Sequence, residues 1–247
     1  MRDIYVMISM ILIFPTLLFS QTQSAEDILK KVDANRIADG KEIVAKMIIH
    51  GRRGGRTVES KSWQRNLYDS FTEYLAPPRD KGTKMLKLGD QLWTYSPQTD
   101  RTILISGHML RQSVMGSDLS YEDMMEDPFL QNIYDAEIVD SDTLSNRSVW
   151  ILELKAKKSD ASYDKCKIWV DKERFIILKE YLYAKSGKLL KTIEINEVMN
   201  VDGRWFAKTA LYKDVLKEGD GTQMIVESIK FNENMPDYIF SKASLRK

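Results

Sequence analysis

The chain has 247 residues, with 37 Lys and Arg against 36 Asp and Glu and a formal net charge of +1. So even a balance gives no field to draw it to nucleic acid or to an anionic membrane. Its one cysteine, Cys166, excludes an internal disulfide, so stability must come from a packed core.

The N-terminus, "MRDIYVMISMILIFPTLLFSQTQSAED", places a basic residue before an apolar run from Ile4 to Phe19 and then small polar residues, the layout of a secretory signal peptide. The run is shorter than the roughly 20 residues of a spanning helix, and Pro15 interrupts it. Cleavage between residues 20 and 25 is therefore expected over a retained anchor, making 1–24 a leader. No cysteine lies near that junction, which argues against a lipid-modified N-terminus. The expectation is a soluble protein of an exported compartment, with one domain over 25–247.

Ser24 followed by "AEDILKKVDANRIADG" predicts a capped amphipathic helix with Ala25, Ile28, Leu29, Val32 and Ile37 toward one side and Gly40 at its end. After Gly40 the period changes from helical to alternating. Ile43, Ala45, Met47 and Ile49 begin a strand, the "GRRGG" turn leads to "TVESKSWQRN", and "SFTEYLA", "TKMLKLGDQLWTYSP" and "RTILIS" follow. Arg52, Arg53 and Arg56 read as a solvated hairpin tip, because their glycines lack the spacing of a phosphate loop and precede no helix.

A second series of strands runs from Asp135 through "SVWILELKA", "KCKIWVD", "FIILKEYLYA", "LLKTIEINEV", "RWFAKTALY" and "TQMIVESIKF", with turns at Asp171-Lys172, Ser186-Gly187 and Asp202-Gly203. Short strands in succession without helices between them argue for antiparallel meanders. So many strands in one sheet tend to curl or close. The fold class expected is mainly β, a single large curved antiparallel sheet, with helices at the N-terminus and between Ser120 and Tyr134. The stretch "NMPDYIFSK" reads as a turn of helix or an edge strand.

Catalytic and metal chemistry find little support. His108 lies near Ser113 and Ser117, but "SVMGSD" is not the GxSxG elbow. His50 and His108 have no partner at metal-ligand spacing and Cys166 stands alone, so no metal and no cofactor are expected. Glu122, Asp123 and Asp127 suit a helix start better than acid–base work. Ser120 caps the helix from Tyr121, Asp123 closes a capping box, and Gly116 supplies the turn before it. Met109, Leu110, Met115, Met124, Met125, Phe129 and Leu130 are too apolar for an exposed loop. Core filling and a cover over an apolar cavity both account for them.

The run "SWQRNLYDSFTEYLAPPRDKG", then "GDQLWTYSPQTDRT", then "SVMGSDLSYEDM" resembles the bacterial outer-membrane lipoprotein-sorting proteins, the LolA-like group and its less characterised relatives. The matching pieces are Arg65 before an aromatic strand with Phe71 and Tyr74, the loop at Pro77 and Pro78, a Gly-Asp turn, and Trp93-x-Tyr95-x-Pro97. The resemblance implies an unclosed β-barrel with α-helices covering its open side and an apolar cavity within. It also implies a periplasmic, non-enzymatic monomer that carries lipoprotein acyl chains or another lipid, with an inner-membrane transporter as donor. Arg65 looks like the arginine with which carriers of the family hold the lid closed; a plain surface arginine is the alternative reading. The ligand-binding residues expected on this basis are Trp63, Arg65, Trp93, Tyr95, Met109, Met115, Met124 and Phe129. A sensor or adaptor that binds a partner protein, and an enzyme on the same scaffold, remain alternative readings.

Overall fold

The computed structural model describes residues 23–36, 40–51, 54–231 and 235–247, so the expected leader lies outside the described residues up to residue 22. Helix α1 (Ala25–Arg36) starts where expected. The Ser24 hydroxyl accepts the Asp27 amide at 3.1 Å, and Glu26 and Asp27 lie at the positive end of the helix. Ile28, Leu29 and Val32 are buried on one side. The expected helix end at Gly40 is corrected, since Gly40 already pairs with Arg65 as the first residue of a strand. Ile37 lies outside the described residues.

Two antiparallel meanders follow. The first comprises β1 (Gly40–Gly51), β2 (Gly54–Arg65), β3 (Asp69–Ala76), β4 (Lys84–Leu88), β5 (Gln91–Ser96) and β6 (Arg101–Ile105). The second comprises β7 (Tyr134–Leu144), β8 (Arg147–Ala156), β9 (Lys165–Asp171), β10 (Ile177–Tyr183), β11 (Leu189–Val201), β12 (Arg204–Asp214) and β13 (Gly221–Phe231). Pairing of β1 with β13 joins them into one 13-stranded sheet of order β6-β5-β4-β3-β2-β1-β13-β12-β11-β10-β9-β8-β7. Gly221, which pairs with His50 of β1, has φ +95°, and a Cβ there would lie 2.5 Å from the carbonyl oxygen of Tyr212 in β12, so the close approach of β12 requires glycine.

Strands β6 and β7 do not pair, so the barrel is unclosed. The sheet nevertheless curls. Helix α1 touches both β7 and β12, which stand five strands apart in the order. Between the meanders come two 3-10 turns (Gly107–Arg111 and Val114–Gly116) and the short helices α2 (Tyr121–Met125) and α3 (Leu130–Ile133). Asp33 of α1 accepts the Leu130 and Gln131 amides at 3.1 and 3.3 Å, giving α3 the N-terminal cap that its own Phe129 does not supply.

Register separates the two faces. Trp63 pairs with Phe71, Phe71 with Leu86 and Leu86 with Trp93, so these side chains form one row across β2 to β5. Tyr74, Met85, Leu92 and Ile105 belong to the opposite face, where Met109, Leu110, Met115, Met124 and Met125 pack against them. The helices thus cover the inner face. The Trp63 row lies outside, under the C-terminal turns Asp237–Phe240 and Lys242–Arg246, through Phe240 and Leu245.

Arg65 fastens that outer cover. Its guanidinium donates to Asp69 at 3.0 Å and to Asp237 at 2.6 Å and stacks 4.6 Å from the Phe240 ring centre. Because Asp237 is almost fully exposed, Arg65→Ala is expected to cost only about 1 kcal/mol. Limited proteolysis should then cut more readily within residues 235–247. Unchanged cleavage would mean that Phe240 and Leu245 hold this segment without the arginine.

Candidate functional site

Helix α2 is five residues long, too short to stand on its own backbone bonds. Side chains from distant strands fix it in place. The capping box is complete: the Ser120 hydroxyl accepts the Asp123 amide at 3.3 Å and the Asp123 carboxylate accepts the Ser120 amide at 2.7 Å. Asp123 also takes the Tyr163 hydroxyl, from the loop before β9, and the Lys191 ammonium of β11. At the other end Lys87 of β4 donates to the Met124 carbonyl at 3.0 Å. The helix is therefore a strap tied to β4 on one side and β11 on the other, across the mouth of the curled sheet.

The segment before it is anchored as firmly. Met115 and Gly116 adopt left-handed backbone, with φ of 52° and 74°. Arg56 donates to the Met115 carbonyl and pairs with Asp80 at 3.3 Å, so this arginine braces a turn and is not part of a solvated tip. Asp118 is buried. It accepts the Thr222 hydroxyl at 2.7 Å and the Asp214 amide at 3.0 Å, while Ser117 is enclosed and its carbonyl accepts Lys217 at 2.7 Å. Thus Ser117 and Asp118 serve as attachments to the end of β12 and the start of β13.

Beneath the strap lies a cavity of about 350 Å³, bounded by Val32 and Arg36 of α1, Asp123 and Met124 of α2, and the inner faces of β8 to β12. Leu154, Ile168, Leu182 and Ile193 supply its apolar wall. A more polar cleft of about 620 Å³ opens outside, between the Gly89-Asp90 turn, Asp127 and the loop at Lys158–Ser162. Glu126 borders both spaces.

Three carboxylates reach the cavity, and their surroundings separate them. Burial opposes charge on Asp123, but Lys191 and the hydrogen bonds outweigh it and hold the carboxyl below its usual range. Burial pushes Glu126 up to about 7, helped by Asp123 and Glu180 and opposed by the Tyr134 hydroxyl, 3.2 Å from its Oε1. Burial likewise raises Glu180. The Cys166 thiol, also in the wall, is raised by burial and so is a poor nucleophile.

These shifts set a pH dependence with a definite sign. A carboxyl whose folded pKa is raised contributes stability below its ordinary value of 4.5, and that contribution is lost as pH rises through about 7. The strapped state is expected to weaken between those limits by at most about 3 kcal/mol, with Glu126→Gln flattening the profile. Asp123 acts in the opposite sense and lower down, below its ordinary 3.8. Urea midpoints of both proteins from pH 4 to 8 check this; identical profiles would show that Glu126 is solvated.

Of the eight expected ligand residues, Met124 borders the cavity. Met109 and Met115 pack beside it on the inner face of the first meander. Phe129 is half-buried just before α3. Trp63, Trp93, Tyr95 and Arg65 stand on the outer face with the C-terminal segment, because their alternation places them opposite Tyr74 and Met85. The arginine that the resemblance assigns to the lid bonds Asp69 and Asp237, away from α2.

Sequence reasoning missed Glu126, Glu180, Tyr163 and Lys191. For Glu180 a signal existed: it shares the strand parity of apolar Leu182. Among the described residues, no cluster of three or more His, Cys, Asp or Glu side chains is placed to hold a metal ion, and no helix is long and apolar enough to cross a membrane.

An unclosed antiparallel barrel with helices strapped over an internal cavity defines a LolA-like open barrel. Solved structures share it, among them the following three. A DUF1329 family protein from Desulfovibrio piger superposes with a TM-score of 0.82 at 22% identity, covering 90% of this chain and 97% of that one. A domain described as an outer membrane lipoprotein-sorting protein, from Vibrio parahaemolyticus, gives 0.79 at 20%, covering 90% and 98%. A LolA superfamily protein from Nitrosomonas europaea gives 0.73 at 22%, covering 90% and 99%. No curated protein matches the sequence. A family model described as "-like: Uncharacterized protein" matches residues 67–247, and the chain belongs to that family.

Proposed function

We propose that this protein is a periplasmic carrier, without enzymatic activity, that holds an acyl chain or another apolar group in the cavity beneath α2, in lipoprotein sorting or a related envelope transport. The observation that carries the reading is the strap itself. Bonds from Lys87, Lys191 and Tyr163 hold α2 across the mouth of the curled sheet, with Met124 over an apolar cavity beneath it. A cavity of about 350 Å³ is at the low end of small-molecule sites, roughly 300–1,000 Å³. It suits one chain, and a larger cargo requires α2 to move.

The test is to fill the cavity. Ile193 borders it and is half-buried on β11, so Ile193→Trp places an indole in the space. A fluorescent neutral probe with a dodecyl chain should lose at least tenfold in affinity while the circular dichroism stays native. Undiminished binding would locate the chain elsewhere and sink the reading.

A second reading, an adaptor that binds a partner protein, draws on the open edge of the barrel. Ile103 and Leu104 on edge strand β6 are each more than two-fifths exposed. It requires saturable partner binding that survives delipidation and is lost when both are changed to lysine.

A further inference from the structure

We propose that the cavity selects an amphiphile with a cationic amine head, which pairs with Glu180 while the aliphatic tail lies along the apolar inner wall. The proposal rests on the carrier reading and names the class of cargo.

The placement of Glu180 carries it. On the inner face Leu152 pairs with Ile168, Ile168 with Glu180, Glu180 with Ile193 and Ile193 with Tyr212. A carboxylate therefore stands in a row whose other members are the aliphatic Leu152, Ile168 and Ile193 and, at its end, the Tyr212 phenol, on which Glu180 acts electrostatically. The side chain is half-buried and borders the cavity, so its carboxylate is open to whatever occupies that space. A hydrocarbon side chain at this position would complete the wall at no electrostatic cost, whereas a half-buried carboxylate with no cationic partner in contact is penalised by its partial loss of water.

Its neighbours do not satisfy it. Asp123 already binds Lys191, Tyr163 and the Ser120 amide, and Glu126 takes the Tyr134 hydroxyl. Among the described residues no side chain or backbone amide hydrogen-bonds or ion-pairs with the Glu180 carboxylate, whose backbone pairs in the ladder with Ile168 and Ile193. Arg36 of α1 acts on it through space without such a contact. Counting the carboxyl groups and the basic side chains on the wall, Asp123, Glu126 and Glu180 face Lys191 and Arg36, which leaves an excess of one negative charge when these five are ionised.

The chemistry of a matching ligand follows. A fatty acid would set its carboxylate against Glu126 and Glu180, and an uncharged chain would leave Glu180 as it is. A bare divalent cation needs several oxygen ligands, and no such cluster is placed here. An ammonium group supplies both the charge and the hydrogen-bond donors, and its tail takes the apolar walls on either side.

The experiment is calorimetric titration of the protein at pH 7.5 with dodecylamine, dodecanol and dodecanoate, each below its aggregation limit, and repetition with Glu180→Gln. The expected order is amine at least tenfold tighter than alcohol, with the carboxylate weakest. In Glu180→Gln the amine should fall to the level of the alcohol while alcohol binding persists, which also shows that the variant is folded. Equal affinity for amine and alcohol in the natural protein, or a preference that survives the substitution, overturns the proposal and leaves the carrier reading standing. Binding of none of the three overturns both. Equal affinity for amine and alcohol in the natural protein overturns the proposal even if the variant does not fold.

Discussion

Asp123→Ala is expected to lower the unfolding free energy by about 3–5 kcal/mol, because removing one member of a buried ion pair leaves the other uncompensated. The stranded partner is Lys191, whose side chain is 13% exposed. The same substitution opens the capping box at Ser120 and leaves the Tyr163 hydroxyl without its acceptor. Chemical denaturation measures the loss. Adding Lys191→Met should restore part of it, since an apolar side chain can fill the position without charge. A loss under about 1 kcal/mol would place the pair in the range of exposed bridges and remove the strap from the account. Hydrogen exchange should separate local from global effects, with protection falling first in Tyr121–Met125 if the helix lifts before the sheet melts.

Asp118→Ala is the second large effect, expected at about 2–4 kcal/mol because hydrogen bonds to a buried charged group are the stronger ones and both donors are left unpaired. Those donors are the Thr222 hydroxyl, which is fully buried, and the Asp214 amide. Thr222 in turn accepts the Asp118 amide at 3.0 Å, so one threonine of β13 fixes both ends of this residue. Thr222→Val should reproduce most of the loss, and the double variant should cost much less than the sum. Additive losses in a double-mutant cycle would show that the two do not act as one attachment.

The two aspartates differ in how much of them the sequence showed. Asp123 was readable as a capping-box residue because Ser120 lies three positions away. Its second role was not, because Tyr163 and Lys191 are 40 and 68 residues off in the chain. The aromatic strand residues show the same limit. Alternation places Trp93 and Tyr95 together on one face, but a period of two does not say which face is inner. That was decided when the C-terminal Phe240 and Leu245 settled on the Trp63 row and the methionine-rich segment settled on the other. At Glu180 a bulge between Ile177 and Lys179 breaks the count from the start of the strand and obscures its inward direction.

What the sequence determined by itself is the local part: the turns that divide the strands, the alternation that makes them, the capped helix from Ala25 and the cap at Ser120. These depend on neighbours within a few residues, so backbone preference and hydrophobic period suffice. The tertiary structure alone decided the join of β1 to β13, the inner and outer faces, and the gathering of Asp123, Glu126 and Glu180 around one cavity. Those depend on contacts between residues far apart in the chain, whose geometry exists only once the sheet has curled and the strap has closed over it.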